Sequence, residues 1–467
     1  MTLSQAILDG IPFEGVERLL HDGAPINIID EYGFTPLIQA TLMNNYDVVS
    51  LLLSQYNARV DIVDITGSTA LHWAVDNDNL EIAKLLIQFG ADTNSYTTNG
   101  QPVLFYPLLR QSKALIDLLL QHGANVAFAK DFIMAKLIGH RFELQGSTDV
   151  VNPQGLFIAV DLEGFYLEFT LGLVRDSLTH FINSYMAHRM DIHIPELRVI
   201  ISAFQHASKL REFKHFNKDP SKNTQAIYQL LNVPLLLLPV SYEAHAITFI
   251  KYGNFLAKCD RGVQKMTDPI VINTVGNPQL LSRELLTNLL YQPHSAKYIK
   301  SDLVKILELT PYAKLPIKHQ ITGNCSWANV ESSVPTMLYM LLHEQIKDET
   351  KVAPLVKEIM RFYYAWLDWD KDRAIEDCLD GFDNLSFQRQ KSKAALLGAV
   401  LFQSCNPSKP RDIKRAQKIL KILFRKEFHY IVRIYANVFV RSKKSAEGTA
   451  FQKLIQACGY KLSQFNN

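Results

Sequence analysis

An imidazole, a carboxylate, a carboxamide and a thiol follow one another along this chain as His245, Asp260, Gln320 and Cys325. Together they supply what acyl transfer to sulfur needs. Cys325 would attack an acyl carbon, and His245 would act as base and then as acid. Asp260 would orient the imidazole, and Gln320 would help bind the oxyanion. No other feature of the sequence proposes a reaction. Taken singly, each has a plainer reading: a strand-end histidine, a turn aspartate opening Asp260-Arg261-Gly262, a buried structural cysteine after a turn. Their combination favours chemistry.

The flanking residues predict how the four are positioned. Pro234–Val240 is an apolar run of strand length, and Ala246–Tyr252 is rich in β-branched and aromatic residues. Gly253-Asn254 then breaks the pattern and Phe255–Asp260 resumes it, which predicts a hairpin. His245 would begin one strand and Asp260 would end its partner, side by side. From Ser326 onward Trp327, Val330, Val334, Met337, Leu338, Leu341 and Leu342 recur at helical spacing after a Gly323-Asn324 turn. Pro335 inside that pattern predicts a kink or a late helix start. Either way Cys325 falls at a loop-to-helix junction, where unpaired amides and the macrodipole favour a thiolate.

These segments resemble the cysteine-peptidase clan that includes the SUMO and ubiquitin-like proteases, the adenoviral protease and the YopJ-type acetyltransferases. Members carry His, then Asp, Glu or Asn, then Gln, then Cys, the order of His245, Asp260, Gln320 and Cys325. Papain itself runs Gln, Cys, His, Asn, so the resemblance implies a permuted arrangement of the same core. Cys325-Ser326-Trp327-Ala328 is similar to the helix that follows the papain nucleophile. Ala246 stands where the clan usually has Trp, and the Gln320–Cys325 spacing is one residue shorter than is common. The long stretch between Asp260 and Cys325 implies an insertion within 265–312. The resemblance covers roughly 150–345.

The amino-terminal third is built of repeats. Gly33, Gly67 and Gly100 recur at ankyrin spacing, as do Gly23-Ala24, Asn57-Ala58, Gly90-Ala91 and Gly123-Ala124. Phe34–Ala40 and Ser68–Ala74 are equivalent segments, and Gln101–Pro107 is a degenerate copy. Leu51–Leu53, Leu85–Ile87 and Leu118–Leu120 supply buried stripes. Residues 1–145 thus resemble about four ankyrin repeats with atypical caps, an architecture whose concave surface takes a partner protein. Tyr32, Phe34, Trp73 and Tyr106 are candidates for the contact side, though repeat aromatics as often pack internally. Leu86, Asp92, Thr93 and Asn94 resemble the acceptor context of the asparaginyl hydroxylase that modifies ankyrin repeats, and Asn27 with Leu19 is a weaker match. An ordinary turn asparagine is the preferred reading of Asn94.

Composition bounds the rest. At 467 residues, 48% hydrophobic and 20% charged, the chain reads as several globular domains, and a net charge of +3 does not imply nucleic-acid binding by the whole. Five cysteines without paired spacing predict reduced thiols and a cytosolic or nuclear workplace. No metal-ligand cluster and no cofactor motif is apparent. Asp9 and Glu14 interrupt any cleavable signal peptide, and the apolar runs near 229–240 and 394–402 are too short for a membrane span. Residues 156–169 suggest a hairpin turning near Asp161–Gly164, followed by helices. Residues 346–467 read as helical. Between Lys409 and Lys444 only Asp412 and Glu427 oppose the basic residues, so this face would be a solvated surface or would meet an acidic or RNA-containing partner.

The expectation is a multidomain chain: an all-α ankyrin solenoid over 1–145, an α+β papain-like (permuted) cysteine-peptidase-type domain over 146–345, and a helical region over 346–467. The arrangement resembles ankyrin effectors that intracellular bacteria deliver into eukaryotic cells. That implies a host-directed protein, working in the host cytosol or nucleus, with a host protein on its repeats. Three activities stay open: a thiol hydrolase acting on a peptide or isopeptide bond, a non-catalytic interaction protein on a peptidase-like scaffold, and an acyltransferase.

Overall fold

The computed structural model describes residues 2–188, 193–214, 219–262, 268–321, 323–344, 346 and 349–465. Thr322, inside the Gln320–Cys325 stretch, lies outside the described residues, as do 265–267 of the expected insertion.

The repeats form as helix pairs: Leu3–Leu8 with Phe13–His21, Pro36–Leu42 with Tyr46–Ser54, Ala70–Asp76 with Leu80–Gln88, and Phe105–Arg110 with Lys113–Gln121. Local chemistry starts them. The Thr35 hydroxyl accepts the Ile38 N–H at 3.1 Å and Pro36 occupies the first helical turn, where its missing N–H costs nothing. Thr69 and His72 make the equivalent reciprocal cap one repeat later. Between pairs, the connecting turns stack: the Ile65 N–H donates to the Tyr32 carbonyl and the Thr98 N–H to the Thr66 carbonyl. Gly67 sits at φ +80°, and a Cβ there would lie 2.6 Å from the Thr98 nitrogen, so only glycine allows that stacking.

Two sheets follow. Strands β1 (Ser147–Val151) and β2 (Phe157–Asp161) make an antiparallel hairpin. Its turn is at Asn152–Leu156, not at Asp161–Gly164 as the sequence suggested. Asn152 Oδ1 accepts the N–H groups of Gln154 and Leu156, and Gly155 takes φ +80°. Asp161–Tyr166 instead leads into the helix Leu167–Ile182.

Strands β3 (Leu235–Tyr242), β4 (His245–Tyr252), β5 (Phe255–Cys259), β6 (Ile270–Val275) and β7 (Leu309–Lys314) form an antiparallel meander in that order. Alternation decides its two faces. Ile250, Ala257, Cys259 and Ile272 meet the helix Cys325–His343, while Ile247, Phe249 and Leu256 pack with Leu286, Leu289 and Leu303 on the other side. The helix runs unbroken from Cys325 through Pro335, so no late start occurs.

The carboxyl-terminal region is helical, beginning with Val352–Leu379 and Phe387–Gln403 and continuing through Pro410–Leu423 and Ala446–Ala457. Four residues of its basic stretch meet acids within the chain. Arg411 pairs with Asp368, Arg415 with Asp368, Asp372 and Asp412, Lys418 with Glu376, and Arg425 with Asp383. Most of these acids come from Val352–Leu379, too distant in sequence to count as neighbours. Helix Val126–Arg141 and the β1–β2 hairpin share one core with these helices: Phe128, Phe132, Ile138 and Val160 cluster with Leu397, Leu420 and Phe428.

Candidate active site

His245 is the first residue of β4, and Asp260 immediately follows β5. The two strands join through Gly253, at φ +54°, with Tyr252 paired to Phe255, which fixes their register. Cys325 opens its helix. One turn later on that helix lies Asn329, fully buried, and its amide joins the three segments. Its Oδ1 accepts the Arg261 N–H at 2.6 Å, and its Nδ2 donates to the Ala246 carbonyl at 2.6 Å. The residues following His245 and Asp260 are thus held to the helix that carries the thiol.

Three of the four expected residues come together. His245 Nε2 lies 2.9 Å from Asp260 Oδ1, and the Ala246 N–H points at the Cys325 sulfur at 3.5 Å. The Gly262 N–H adds a bond of 3.3 Å to the same carboxylate oxygen. A Cβ at Gly262 would come within 3.1 Å of that oxygen, so glycine lets the chain pass beside the pair. The Tyr242 ring stands edge-on to the imidazole at 5.4 Å.

The electrostatics favour an ion pair between sulfur and imidazole. His245 is pushed up to about 9, chiefly by its hydrogen bond to Asp260 and then by one to Cys325, against the cost of burial. Burial also opposes a Cys325 thiolate, but the His245 hydrogen bond and the Ala246 and Ser326 amides outweigh it and draw the thiol below its ordinary range. Asp260 is similar: burial raises it, and His245 with Lys258 brings it down. The other cysteines go the opposite way. Burial raises Cys259, and it raises Cys378 and Cys405 to about 12 and Cys458 to about 11.

Gln320 is less simply disposed. It is buried, its N–H donates to the Arg261 carbonyl at 2.8 Å, and its side chain makes no hydrogen bond to the thiol among the described residues. Among the described residues its buried side-chain oxygen has no hydrogen-bond partner. Asn94 takes a structural position: Nδ2 donates to the Gly123 carbonyl at 2.9 Å and Oδ1 accepts the Asn125 N–H at 2.8 Å, which ties consecutive repeats.

Sequence reasoning missed the supporting polar groups. Arg261 is buried between Glu143 at 3.0 Å and Glu331 at 3.5 Å, and Glu331 also accepts from the Trp327 indole and the Tyr363 hydroxyl. The signal was present in Asn329, Glu331, Ser332, Ser333 and Thr336, polar residues interrupting an apolar helix, and all of them are buried. Among the described residues no group of three or more His, Cys, Asp or Glu could hold a metal ion, and no helix is long and apolar enough to cross a membrane. Cavities of about 560 and 640 Å³ lie where the repeats meet the following domain, and Cys325 lines neither of them.

Known proteins resemble the chain in two ways. Residues 12–53 match the family model "Ankyrin repeats (many copies)" and residues 56–129 match "Ankyrin repeats (3 copies)". A putative ankyrin repeat protein of fowlpox virus is 26% identical over 25% of this chain and 25% of its own length. The chicken nuclear factor NF-kappa-B p105 subunit is 32% identical over 24% of this chain and 12% of its own length. The chain therefore spans a quarter or less of these curated relatives. The solved structure of the Legionella effector AnkH is similar throughout: 38% identical, TM-score 0.84, covering 99% of this chain and 98% of that one. By that end-to-end similarity of sequence and fold, the chain belongs to the family of the Legionella effector AnkH.

Proposed function

We propose that this protein is a host-directed effector. Its ankyrin repeats dock a host protein, and Cys325, His245 and Asp260 form a thiol-hydrolase site in a permuted papain-like domain spanning about 146–345. The observation that carries the reading is the contrast among five cysteines: Cys325 alone is drawn toward the thiolate, by an imidazole bonded to Asp260 at 2.9 Å. The helix of Cys325 lying across the meander supports the papain-like assignment, as does the order of the site residues. Likeness to a bacterial effector supports work inside a host cell, in cytosol or nucleus.

In this mechanism the Cys325 thiolate adds to an acyl carbon while His245 carries the proton. The negative oxygen of the tetrahedral intermediate meets the Cys325 N–H at the open start of its helix, with the Gln320 amide as second donor. The C–N bond breaks as His245 protonates the departing amine, leaving a thioester. Water then gives a proton to His245 and forms the C–O bond, and the C–S bond breaks to release acid and restore the thiolate. Asp260 keeps the imidazole oriented and stabilises its cationic form.

A non-catalytic docking protein is the second reading, favoured by the cavities that open where the repeats meet the following domain. A thiol-directed electrophilic probe separates the two. Fast labelling lost in Cys325→Ala and His245→Ala, with both variants folded, supports the hydrolase. A wild-type rate no faster than a free thiol leaves the docking protein. A reactive protein that consumes an acyl donor and cleaves no amide would point to transfer.

A further inference from the structure

The imidazole of the thiol site comes directly after a turn that its own residues disfavour. Strand β3 ends at Tyr242 and β4 starts at His245, the two paired across a two-residue link. Both link residues are left-handed, Glu243 at φ +45° and Ala244 at φ +61°. A two-residue hairpin turn of that hand matches the strand twist, but it ordinarily takes asparagine and glycine because a Cβ crowds the backbone there. At the far end of β4 the chain meets a left-handed position with Gly253, at φ +54°. Glu243 and Ala244 therefore need support from outside the hairpin.

The excursion between β6 and β7 supplies it. Glu243 Oε1 accepts the Ala296 N–H at 2.9 Å. The Lys300 ammonium stands 6.0 Å from the centre of the Tyr242 ring. The segment that carries both is anchored on the sheet, where Ile299 and Leu303 are buried with Ile247 and Phe249 of β4.

This grip falls beside the imidazole. At Ala246 the strand is bonded to Asn329 of the Cys325 helix, so His245 lies between that anchor and the turn. A turn relaxed to right-handed geometry would splay the strand ends. That would draw His245 away from Asp260, now 2.9 Å distant, and from the edge-on Tyr242 ring.

We propose that Glu243 is a positioning residue of the thiol site: by accepting the Ala296 N–H it holds the left-handed turn that presents His245 to Asp260 and Cys325. The stretch read from sequence as an insertion thereby serves the site from outside it. This role rests on the thiol-hydrolase reading for the reaction that His245 serves, and not for the bond His245 makes to Asp260.

Four full-length proteins test it: the wild type, Glu243→Ala, Glu243→Gln, and Glu243→Ala combined with Ala244→Gly. Both positions are exposed, so no variant disturbs the core. Deuterium exchange at the imidazole C2 position, read by mass spectrometry of the His245 peptide, follows the titration of that one side chain. The groups facing it are Asp260, Cys325 and Tyr242, with Lys258 3.8 Å from Asp260. In the wild type the midpoint is expected near 9. Glu243→Ala should lower it toward the ordinary imidazole range and slow Cys325 alkylation at neutral pH at least about tenfold. Glu243→Gln still offers an oxygen to the Ala296 N–H and should stay close to wild type. Ala244→Gly lets the left-handed turn form without support and should restore the Glu243→Ala protein. A midpoint unmoved in Glu243→Ala, a Glu243→Gln protein that falls as far, or an Ala244→Gly change that restores nothing overturns the proposal. A wild-type thiol that alkylates no faster than a free one removes the hydrolase and leaves the titration to decide the role of Glu243.

Discussion

The side-chain amide of Asn329 donates to the carbonyl of Ala246 at 2.6 Å, a bond that helps couple the strand of the imidazole to the helix of the thiol. With its second bond, from the Arg261 N–H, Asn329 is the common reference for all three site residues. Replacing it with leucine would strand a buried donor and a buried acceptor. The expected loss is about 2–4 kcal/mol of unfolding free energy, measured by urea denaturation. Cys325 alkylation should slow in the variant even where it remains folded. A folded variant with wild-type alkylation would show that Asn329 does not hold the site.

The thiol and imidazole shift in opposite directions, so the reactive ion pair should occupy a wide pH window. Cys325 ionises below the usual thiol range, and His245 keeps its proton up to about 9. Alkylation of Cys325 should therefore already be fast at neutral pH, where an ordinary thiol is mostly protonated. Acyl transfer should fall as pH rises through about 9, where the acid is lost. In His245→Ala the alkylation profile should return to that of a simple thiol. A wild-type rate that rises only in the ordinary thiol range would contradict the pairing.

Arg110 joins the repeats to the sheet-bearing part, reaching Asp76 and Glu168 at 3.0 Å each, with all three side chains largely buried. Arg110→Ala leaves two buried carboxylates facing each other. The expected cost is about 2–3 kcal/mol, below that of a fully enclosed pair because water still reaches the partners. A lowered denaturation midpoint and faster proteolysis near 110–168 would register it. An unchanged midpoint would mean that the contact contributes nothing net.

Two glycines of the repeats share a left-handed backbone and should respond differently. At Gly90, with φ +90°, a Cβ would meet nothing within 4 Å, whereas at Gly67 it would face the Thr98 main chain at 2.6 Å. Gly90→Ala should cost only the backbone strain, about 1–2 kcal/mol. Gly67→Ala should cost clearly more, because the stacked turns must separate. Thermal unfolding of the two variants ranks them directly, and equal losses would argue against the stacking.

Reading the sequence went furthest where the deciding contacts are local. Gly253-Asn254 fixes the hairpin that brings His245 and Asp260 together, and Gly323-Asn324 precedes the helix that Cys325 opens. The repeat glycines carry their own turn geometry. Reading failed where partners are distant. The pairing of Arg415 and Lys418 could not be read after Lys409 because their acids, Asp368, Asp372 and Glu376, lie on another helix. The first hairpin was misjudged because Asp161–Gly164 has turn composition, yet Asn152 and Gly155 make the turn. Asn329 was passed over since a buried amide in an apolar helix announces itself only when the strands it bonds are known.

The helix Val126–Arg141 ends the repeat array with an apolar side, and its Phe128, Phe132 and Ile138 are covered by Leu397, Leu420 and Phe428 from the far end of the chain. A repeat stack ordinarily finishes in a polar cap; this one borrows its lid from helices distant in sequence. Excising the amino-terminal third as bait would bare that oily end, and whatever it then captured would report stickiness rather than recognition.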